Sequence, residues 1–559
     1  MAMSRGRWRA GLPALVTAAV AAGLVGPGAA PGRWHPAAAG ARPDLPADAA
    51  GQWTPPFQED SAAPGAVEAA VLPDGRVLYL TGTENPDRPA PAPGRKGLRL
   101  LDLRSGTPEW TQPPAGDGRE LFSSDLTTLA DGRLLLAGGP HAAFLYDPRT
   151  GSMTATGPMK AERWSPALVA GPDGAPTVFG GVGRLGGDPP PGPVRRTETY
   201  HPAGGTWQEN DAGPASENQL PPDPRIVLAP GGRFLYAAAG EMGDPSAAGA
   251  GPTAGLYQFF DPRTRKWQTA DPAPLGARSG AFVVPLTLEP PFDHMTLLTA
   301  GGATAAGPGA PADRAATLTA VDADGTIAAA PTGDLHQARW SASGVLLPDG
   351  QVFATGGAAR DDTAAPATGT ATATAVRTPE LYDPAAGAWT AVAPERQGRG
   401  YRSSALLLPD MRVLVGGGGG DPTFEVWSPP YLFRGPRPVI KRVQRAVSYG
   451  ESFSITTPDA DLVDSVVLLR TPSPQHGIDS DQRALRLEFS HSDEDTITAT
   501  APPTGTAAPP GLYYLVVNVK SLQGPIPSVA RMVTVGRTNV GDALQPFPDD
   551  APAPVVVPR

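Results

Sequence analysis

The sequence predicts an all-β protein, a seven-bladed β-propeller followed by an immunoglobulin-like β-sandwich. Three observations carry that expectation. A turn-and-strand unit recurs seven times, roughly 40 to 65 residues apart, the spacing of propeller blades with loop insertions. Gly (68) and Pro (69) fill about a quarter of the 559 positions, a composition that suits a fold made of tight turns. No segment with helical periodicity competes with the strand pattern.

The unit is a turn followed by a Leu-rich or β-branched strand that ends in small residues. It stands at Leu72-Pro73-Asp74-Gly75-Arg76-Val77-Leu78, at Ala130-Asp131-Gly132-Arg133-Leu134 before Gly138-Gly139, at Pro172-Asp173-Gly174 before Gly180-Gly181, and at Pro230-Gly231-Gly232-Arg233-Phe234. A weaker copy is Asp293-His294-Met295 before Gly301-Gly302, and the last two are Leu347-Pro348-Asp349-Gly350-Gln351-Val352-Phe353 and Leu408-Pro409-Asp410-Met411-Arg412-Val413-Leu414. Asp-Gly suits a two-residue type I′ hairpin, in which both central residues take positive φ. Paired glycines suit close backbone approach near a crowded axis. A second element follows several copies: Leu145-Tyr146-Asp147-Pro148, Thr199-Tyr200-His201-Pro202 with Trp207, Phe260-Asp261-Pro262 with Trp267, and Leu381-Tyr382-Asp383-Pro384 with Trp389. It reads as an outer hairpin, its rings packed between blades rather than offered as sugar platforms. Together these units place a kelch-type propeller over residues 52–435, with Gly186 to Pro193 and Ala358 to Ala375 as surface inserts.

From Ile440 the spacing changes. Short strands at Ser452 to Ile455, Ser465 to Leu469, Thr496 to Ala499, Tyr513 to Val517 and Ala530 to Val535 suit an immunoglobulin-like sandwich over residues 436–537. At the other end, Arg5, Arg7 and Arg9 precede an apolar stretch from Gly11 to about Val25 and the small residues Gly28-Ala29-Ala30. Residues 1–31 therefore read as a signal peptide, too short and interrupted for a membrane span, so stable membrane insertion is expected only if the signal is retained. Residues 32–51 read as a flexible linker and 538–559 as a flexible tail, which makes the mature chain a secreted protein, extracellular or on a bacterial cell surface. The 45 basic and 55 acidic residues give a net charge of −10, which argues against nucleic acid as a partner. Cysteine is absent, excluding disulfides, zinc–thiolate sites, iron–sulfur clusters and thiol nucleophiles.

The segment Trp427-Ser428-Pro429-Pro430-Tyr431-Leu432-Phe433-Arg434-Gly435-Pro436-Arg437-Pro438 resembles the propeller-to-sandwich junction of galactose oxidase and glyoxal oxidase. So do His476 followed by Asp481-Gln482-Arg483, and Gly511-Leu512-Tyr513-Tyr514 leading to Pro527-Ser528-Val529-Ala530. The likeness runs over about residues 52 to 537. It implies an early-set sandwich that sends a His-bearing loop into the propeller's axial channel. It also implies copper, held by a tyrosine cross-linked to a cysteine, by a Tyr-His pair and by the loop His, with a tyrosyl radical that helps oxidise an alcohol or aldehyde while oxygen is reduced to peroxide. Carried over position by position, the cysteine's place is Ser123, the cross-linked tyrosine's place is Ser165 and the Tyr-His pair is Tyr401-Arg402. Tyr401 and His476 alone match. Ser165 offers neither phenolate nor ring, and the guanidinium of Arg402 cannot deprotonate to ligate a metal. One His and one Tyr make a poor tetragonal copper site. The expectation is therefore no cofactor and a degenerate site at Ser123, Ser165 and Arg402, the alternative being a copper-dependent alcohol or aldehyde oxidase working through Tyr401 and His476.

Arginines recur before the inner strands: Arg119, Arg163, Arg278, Arg339 and Arg399, with Arg402 beside the lost copper position. Converging on the axis they would form a positive mouth for an anionic glycan or small acid, since guanidinium groups recognise carboxylate and sulfate bidentately. The competing expectation pairs them with blade-edge carboxylates such as Glu120 and Glu162. His141, His201, His294 and His336 fall in separate blades and read as solvent-facing turn residues. His491, ahead of Asp493-Glu494-Asp495, reads as an exposed turn. Neither a Ser–His–Asp arrangement nor a close carboxylate pair points to hydrolysis. The function expected is that of a non-oxidising extracellular binding or scaffold protein.

Overall fold

The structure is a computed structural model that describes residues 45–536, except 60–65, 82–96, 112–123, 140–142, 184–191, 211–212, 214–215, 242–254, 306, 363–373 and 419–420. The expected signal peptide, the expected C-terminal tail, Arg119, Glu120, Ser123 and His141 lie outside the described residues.

Seven four-stranded antiparallel sheets follow one another along the chain. Their first strands are Ala66–Val71, Ser124–Thr128, Ala167–Ala170, Ile226–Leu228, Phe282–Pro285, Ser343–Leu346 and Ser403–Leu407. First strands of neighbouring blades lie against one another around the axis, except between the fourth and fifth blades, which are joined by the parallel pair Ala239–Gly240 and Arg278–Ser279. The seventh blade takes its fourth strand from the other end of the chain: Gln52–Trp53 pairs antiparallel with Phe424–Ser428, in the register Gln52 to Ser428 and Trp53 to Trp427. This closes the ring and leaves no open edge between first and last blades. Residues 45–51, read as linker, instead carry a short helix, Ala47–Ala50, and Ala50 is buried.

Six of the seven expected turns form, but their type differs from the expected one, and in the fifth copy His294 and Met295 belong to the strand His294–Ala300 and not to the turn. Leu72 N–H donates to Arg76 O at 2.8 Å and Gly75 N–H to Leu72 O at 2.9 Å, and Gly75 alone of the turn pair is left-handed, at φ +83°. That is a type I turn followed by a left-handed residue and a bulge, which asks for positive φ at one position, not two. The same signature recurs at Gly132, Gly174, Gly232 and Gly350, while in the seventh copy Met411 carries it at φ +68°. The outer aromatic pairs form as expected, with Tyr200 opposite Trp207, Phe260 opposite Trp267 and Tyr382 opposite Trp389 across adjacent strands. Tyr200, Phe260 and Tyr382 are fully buried, so these rings are core.

A buried ion pair recurs between blade entry and third strand. Arg163 donates to Glu198 Oε1 (3.0 Å) and Gly180 O (2.9 Å), and Arg339 to Glu380 Oε1 (2.9 Å) and Gly356 O (3.1 Å). Arg399 donates to Glu425 Oε2 (3.3 Å) and Gly417 O (3.2 Å). Each glutamate also accepts two consecutive backbone N–H groups, from Lys160 and Ala161, His336 and Gln337, or Arg396 and Gln397. The clamp pairs charges that would be costly to bury alone.

Residues 442–535 fold as two sheets: Arg442–Val443, Ser452–Thr456, Thr496–Thr500 and Phe489–Asp493 form one, and a sheet centred on Gly511–Val519 forms the other. His491 lies on an exposed strand of the first sheet, not in a turn. Gly511–Val519 is buried throughout, because its sheet also faces the propeller. Tyr514 Oη donates to Leu407 O (3.1 Å), Asn518 Nδ2 to Pro348 O (3.0 Å) and Ala530 N–H to Pro409 O (2.9 Å). Among the described residues no helix is long and apolar enough to cross a membrane.

One buried carboxyl gives the propeller a pH-dependent stability. Glu395 is fully buried, accepts from the Thr355 hydroxyl and from Gly356 N–H (3.1 Å), and burial pushes its carboxyl up to about 7, opposed by Arg399. The folded chain then holds a proton that the unfolded chain releases near 4.5, so this contribution is complete at low pH and fades as pH rises towards 7. Asp349 and Asp479, pushed up to about 6 and about 7 by burial, act in the same direction. The melting temperature should therefore fall between about pH 5 and 8. Glu395→Gln, which keeps the accepting oxygen, should flatten that fall and stabilise the chain by about 1 to 3 kcal/mol at pH 8.5, as read by melting curves across that range.

Candidate functional site

The sandwich reaches the propeller axis through residues 470–483. Ala69 and Val71, on the first blade's inner strand, donate to Pro474 O (3.0 Å) and Pro472 O (3.1 Å). Arg470 donates to Thr128 O (2.9 Å) and the Thr127 hydroxyl to Asp481 in the second blade, and Ala170 N–H of the third donates to Asp481 Oδ1 (2.9 Å). Arg483 donates to Leu228 O of the fourth, and Gln482 to Gly344 O (3.1 Å) of the sixth. The segment thus plugs the axial channel. Its tip is a two-residue hairpin in which Gln475 and Ile478 exchange N–H···O bonds of 2.7 Å, with His476 (φ +48°) and Gly477 (φ +80°) both left-handed. This is the type I′ geometry that His tolerates less well than Gly. It holds His476, 1% exposed, at the axis.

Other strained corners meet it there. Ser165, Asp223, Ser341 and Arg402 are left-handed non-glycine residues at blade entries, with φ of 54°, 45°, 53° and 65°. Such strain persists only where the surroundings over-determine it. The corners are tied across blades: Asp223 N–H donates to Ser165 O (2.8 Å) and Ser341 N–H to Gly280 O (2.8 Å). Glu241, just beyond the fourth blade's short strand Ala239–Gly240, donates its N–H to Pro222 O (2.7 Å).

The result is a buried polar cluster. One ligand-type atom each from Asp223, Glu241 and His476 lies within 4.8 Å of the others, and all three residues are buried. His476 Nδ1 is 3.3 Å from Asp223 Oδ2, and Tyr401 Oη donates to Glu241 Oε2 at 2.5 Å. The Tyr401 ring lies 5.1 Å from that of Trp340, and the Arg402 guanidinium lies over it, 4.6 Å from its centroid. Arg225, fully buried, donates to the backbone carbonyls of Ala281 (2.9 Å) and Asp223 (2.6 Å). Burial pushes the Glu241 carboxyl up to about 8, and the Asp223 charge adds to the rise. Burial also raises Asp223, but the His476 charge and hydrogen bond, Arg225 and a hydrogen bond with the Glu241 carboxyl overcome it and hold this carboxyl below its usual range. The two carboxyls therefore differ in proton affinity, as close pairs do.

A copper-radical centre does not fit these residues. Ser165 presents a hydroxymethyl group, the chain has no cysteine, Arg402 is stacked on Tyr401, and the Tyr401 hydroxyl is engaged by Glu241. Of the expected positions, the structure brings Tyr401, Arg402 and His476 together with Asp223 and Glu241, while Ser165 meets Asp223 through its carbonyl.

The expected arginine ring is not an open anion site. Arg163, Arg339 and Arg399 are fully buried in the glutamate clamps, and Arg278, 4% exposed, is paired with Asp313 at 2.8 Å. Their charges are taken up by carboxylates, as buried guanidinium groups require, and these partners, Glu198, Glu380, Glu425 and Asp313, lie on third strands and in a loop. Arg402 keeps partial exposure. His294 opens a strand and pairs with Asp322 at 2.7 Å, and His336 meets Glu380 at 2.8 Å.

Sequence reasoning passed over Asp223, Arg225 and Glu241. A signal for Asp223 exists: Asp223-Pro224 precedes the fourth inner strand as Ser165-Pro166 precedes the third. Counting that position in every blade reaches Asp223. Glu241 has no such periodic mark.

Residues 437–535 match the model of the galactose oxidase-like early set domain. The chain is 31% identical to a galactose oxidase of Gibberella zeae over 218 residues, 36% of this chain and 30% of that protein. It is 36% identical to the aldehyde oxidase GLOX of Vitis pseudoreticulata over 160 residues, 24% of this chain and 29% of that protein. These matches span less than a third of either relative. A fungal alcohol oxidase of the AA5 family, solved in complex with copper, superposes with a TM-score of 0.72 at 22% identity, covering 87% of this chain and all of that one, and so shows the fold. The chain carries a galactose oxidase-like early set domain and is homologous to galactose and aldehyde oxidases.

Proposed function

We propose that this chain is a secreted, non-oxidising binding or scaffold protein built on the oxidase fold. The observation that carries the reading is the state of Tyr401, whose hydroxyl donates to Glu241 while Arg402 covers its ring. Function resides in the site and not in the fold, and this site lacks the groups that a cross-linked tyrosyl radical requires. Around the axial corners Trp164, Ser165, Tyr401 and Arg402 keep partial exposure. A small acid or the carboxylate of a sugar is the ligand chemistry that Arg402 suits.

The purified chain, incubated with cupric ion and assayed in an oxygen electrode with primary alcohols, sugars and aldehydes, should neither consume oxygen nor release peroxide. Arg402→His should remain inactive, because Ser165 still supplies no phenolate. Stoichiometric oxygen uptake with peroxide release would overturn the reading; cupric ion binding without uptake would not.

A further inference from the structure

We propose that Asp223, Glu241 and His476 form a site for a first-row divalent cation of the manganese or zinc class, a site that replaces the copper centre rather than preserving it. One imidazole and two carboxylates converge from three separate parts of the chain, namely a blade-entry corner, the end of the fourth blade's short strand and the tip of the sandwich loop. Asp223 is 2% exposed, Glu241 8% and His476 1%. Surface acidic clusters arise by chance, but burial of this set from three directions carries a desolvation cost that something must offset.

A second observation points to an ion. Asp223 Oδ1 and Glu241 Oε1 are buried without a hydrogen-bond partner among the described residues, each on a carboxylate whose other oxygen is already engaged, by His476 and Tyr401 respectively. Buried unpaired oxygens in a native protein call for a water, a proton or an ion. The nearby cation, Arg225, donates to backbone carbonyls. Once Glu241 gives up its proton on binding, two carboxylates balance a double positive charge, and an imidazole nitrogen with carboxylate oxygens is a donor set for manganese, iron or zinc. Calcium asks for six to eight oxygens and no imidazole, and is disfavoured. The Tyr401 hydroxyl, bonded to Glu241 from outside the set, would orient that carboxylate in the way outer partners orient metal ligands.

The inference rests on the reading that the copper ligands have been replaced, yet the two fail separately, since oxygen uptake tests that reading and ion binding tests this one. The test uses the full chain stripped with chelator and dialysed, then titrated with Mn²⁺ alone and Zn²⁺ alone, with calorimetry for both and loss of the free-ion electron paramagnetic resonance signal for Mn²⁺. One ion per chain is expected. Asp223→Asn and Glu241→Gln, which keep the side-chain shapes, should each weaken binding at least tenfold. Circular dichroism identifies any variant that fails to fold, in which case the other isostere and His476→Gln decide. Absence of binding by the native chain would overturn the proposal in favour of a carboxyl pair sharing a proton. Binding that survives the folded substitutions would overturn it too, by placing the ion elsewhere.

Discussion

Glu380→Ala should destabilise the propeller by about 3 to 5 kcal/mol, the range for removing one partner of a buried ion pair. Arg339 is completely buried and its guanidinium donates to Glu380, Gly356 O and Thr378 O. Glu380 in turn accepts from His336 N–H (2.7 Å) and Gln337 N–H (3.2 Å), so its removal strands a charge and two backbone donors at once. Denaturant unfolding measures the loss. The double variant Arg339→Met with Glu380→Leu should recover only part of it, because an apolar pair removes the stranded charge and its desolvation cost but still leaves the His336 and Gln337 N–H groups without their acceptor. A loss below about 1 kcal/mol for Glu380→Ala would mean that the clamp is not what holds the blade entry, since such values belong to exposed pairs.

The same clamp shows where sequence reading succeeded and where it stopped. Arg163, Arg339 and Arg399 were visible as a repeated residue type, and their pairing with carboxylates was one of two open expectations. Which carboxylate was not visible, because Glu198, Glu380 and Glu425 lie 26 to 41 residues downstream on third strands, and only the folded sheet brings them back. The blades themselves were legible because six of them repeat one turn, and in five of those the turn leaves its mark in glycine. Even there the mark was read one residue too generously, since Gly75 alone needs positive φ and Asp74 does not. The site was half legible. Tyr401 and His476 were found through long strings shared with the oxidases, but Asp223 and Glu241 match no copper ligand of that pattern. A search for lost ligands does not notice gained ones.

Gly477→Ala bears on how the site is held together. At φ +80° an alanine there is strained whatever the space around it, and its Cβ would come within 2.6 Å of Ser343 Oγ and 3.0 Å of Ser403 O. The first term costs about 1 to 2 kcal/mol, and the second forces the hairpin away from the sixth and seventh blades. Gly450→Ala separates the two, because Gly450 is left-handed at φ +69° with nothing within 4 Å of its Cβ position. Gly450→Ala should lose only the backbone term. Gly477→Ala should lose about 1 to 3 kcal/mol more by denaturant unfolding, the usual range for forced overpacking. It should also weaken Mn²⁺ binding, because His476 rides on the displaced turn, whereas Gly450→Ala should bind as the native chain does. Equal unfolding losses in the two variants would show that the loop tip has room to spare, and an unchanged Mn²⁺ affinity in Gly477→Ala would show that His476 does not depend on the turn for its position at the axis.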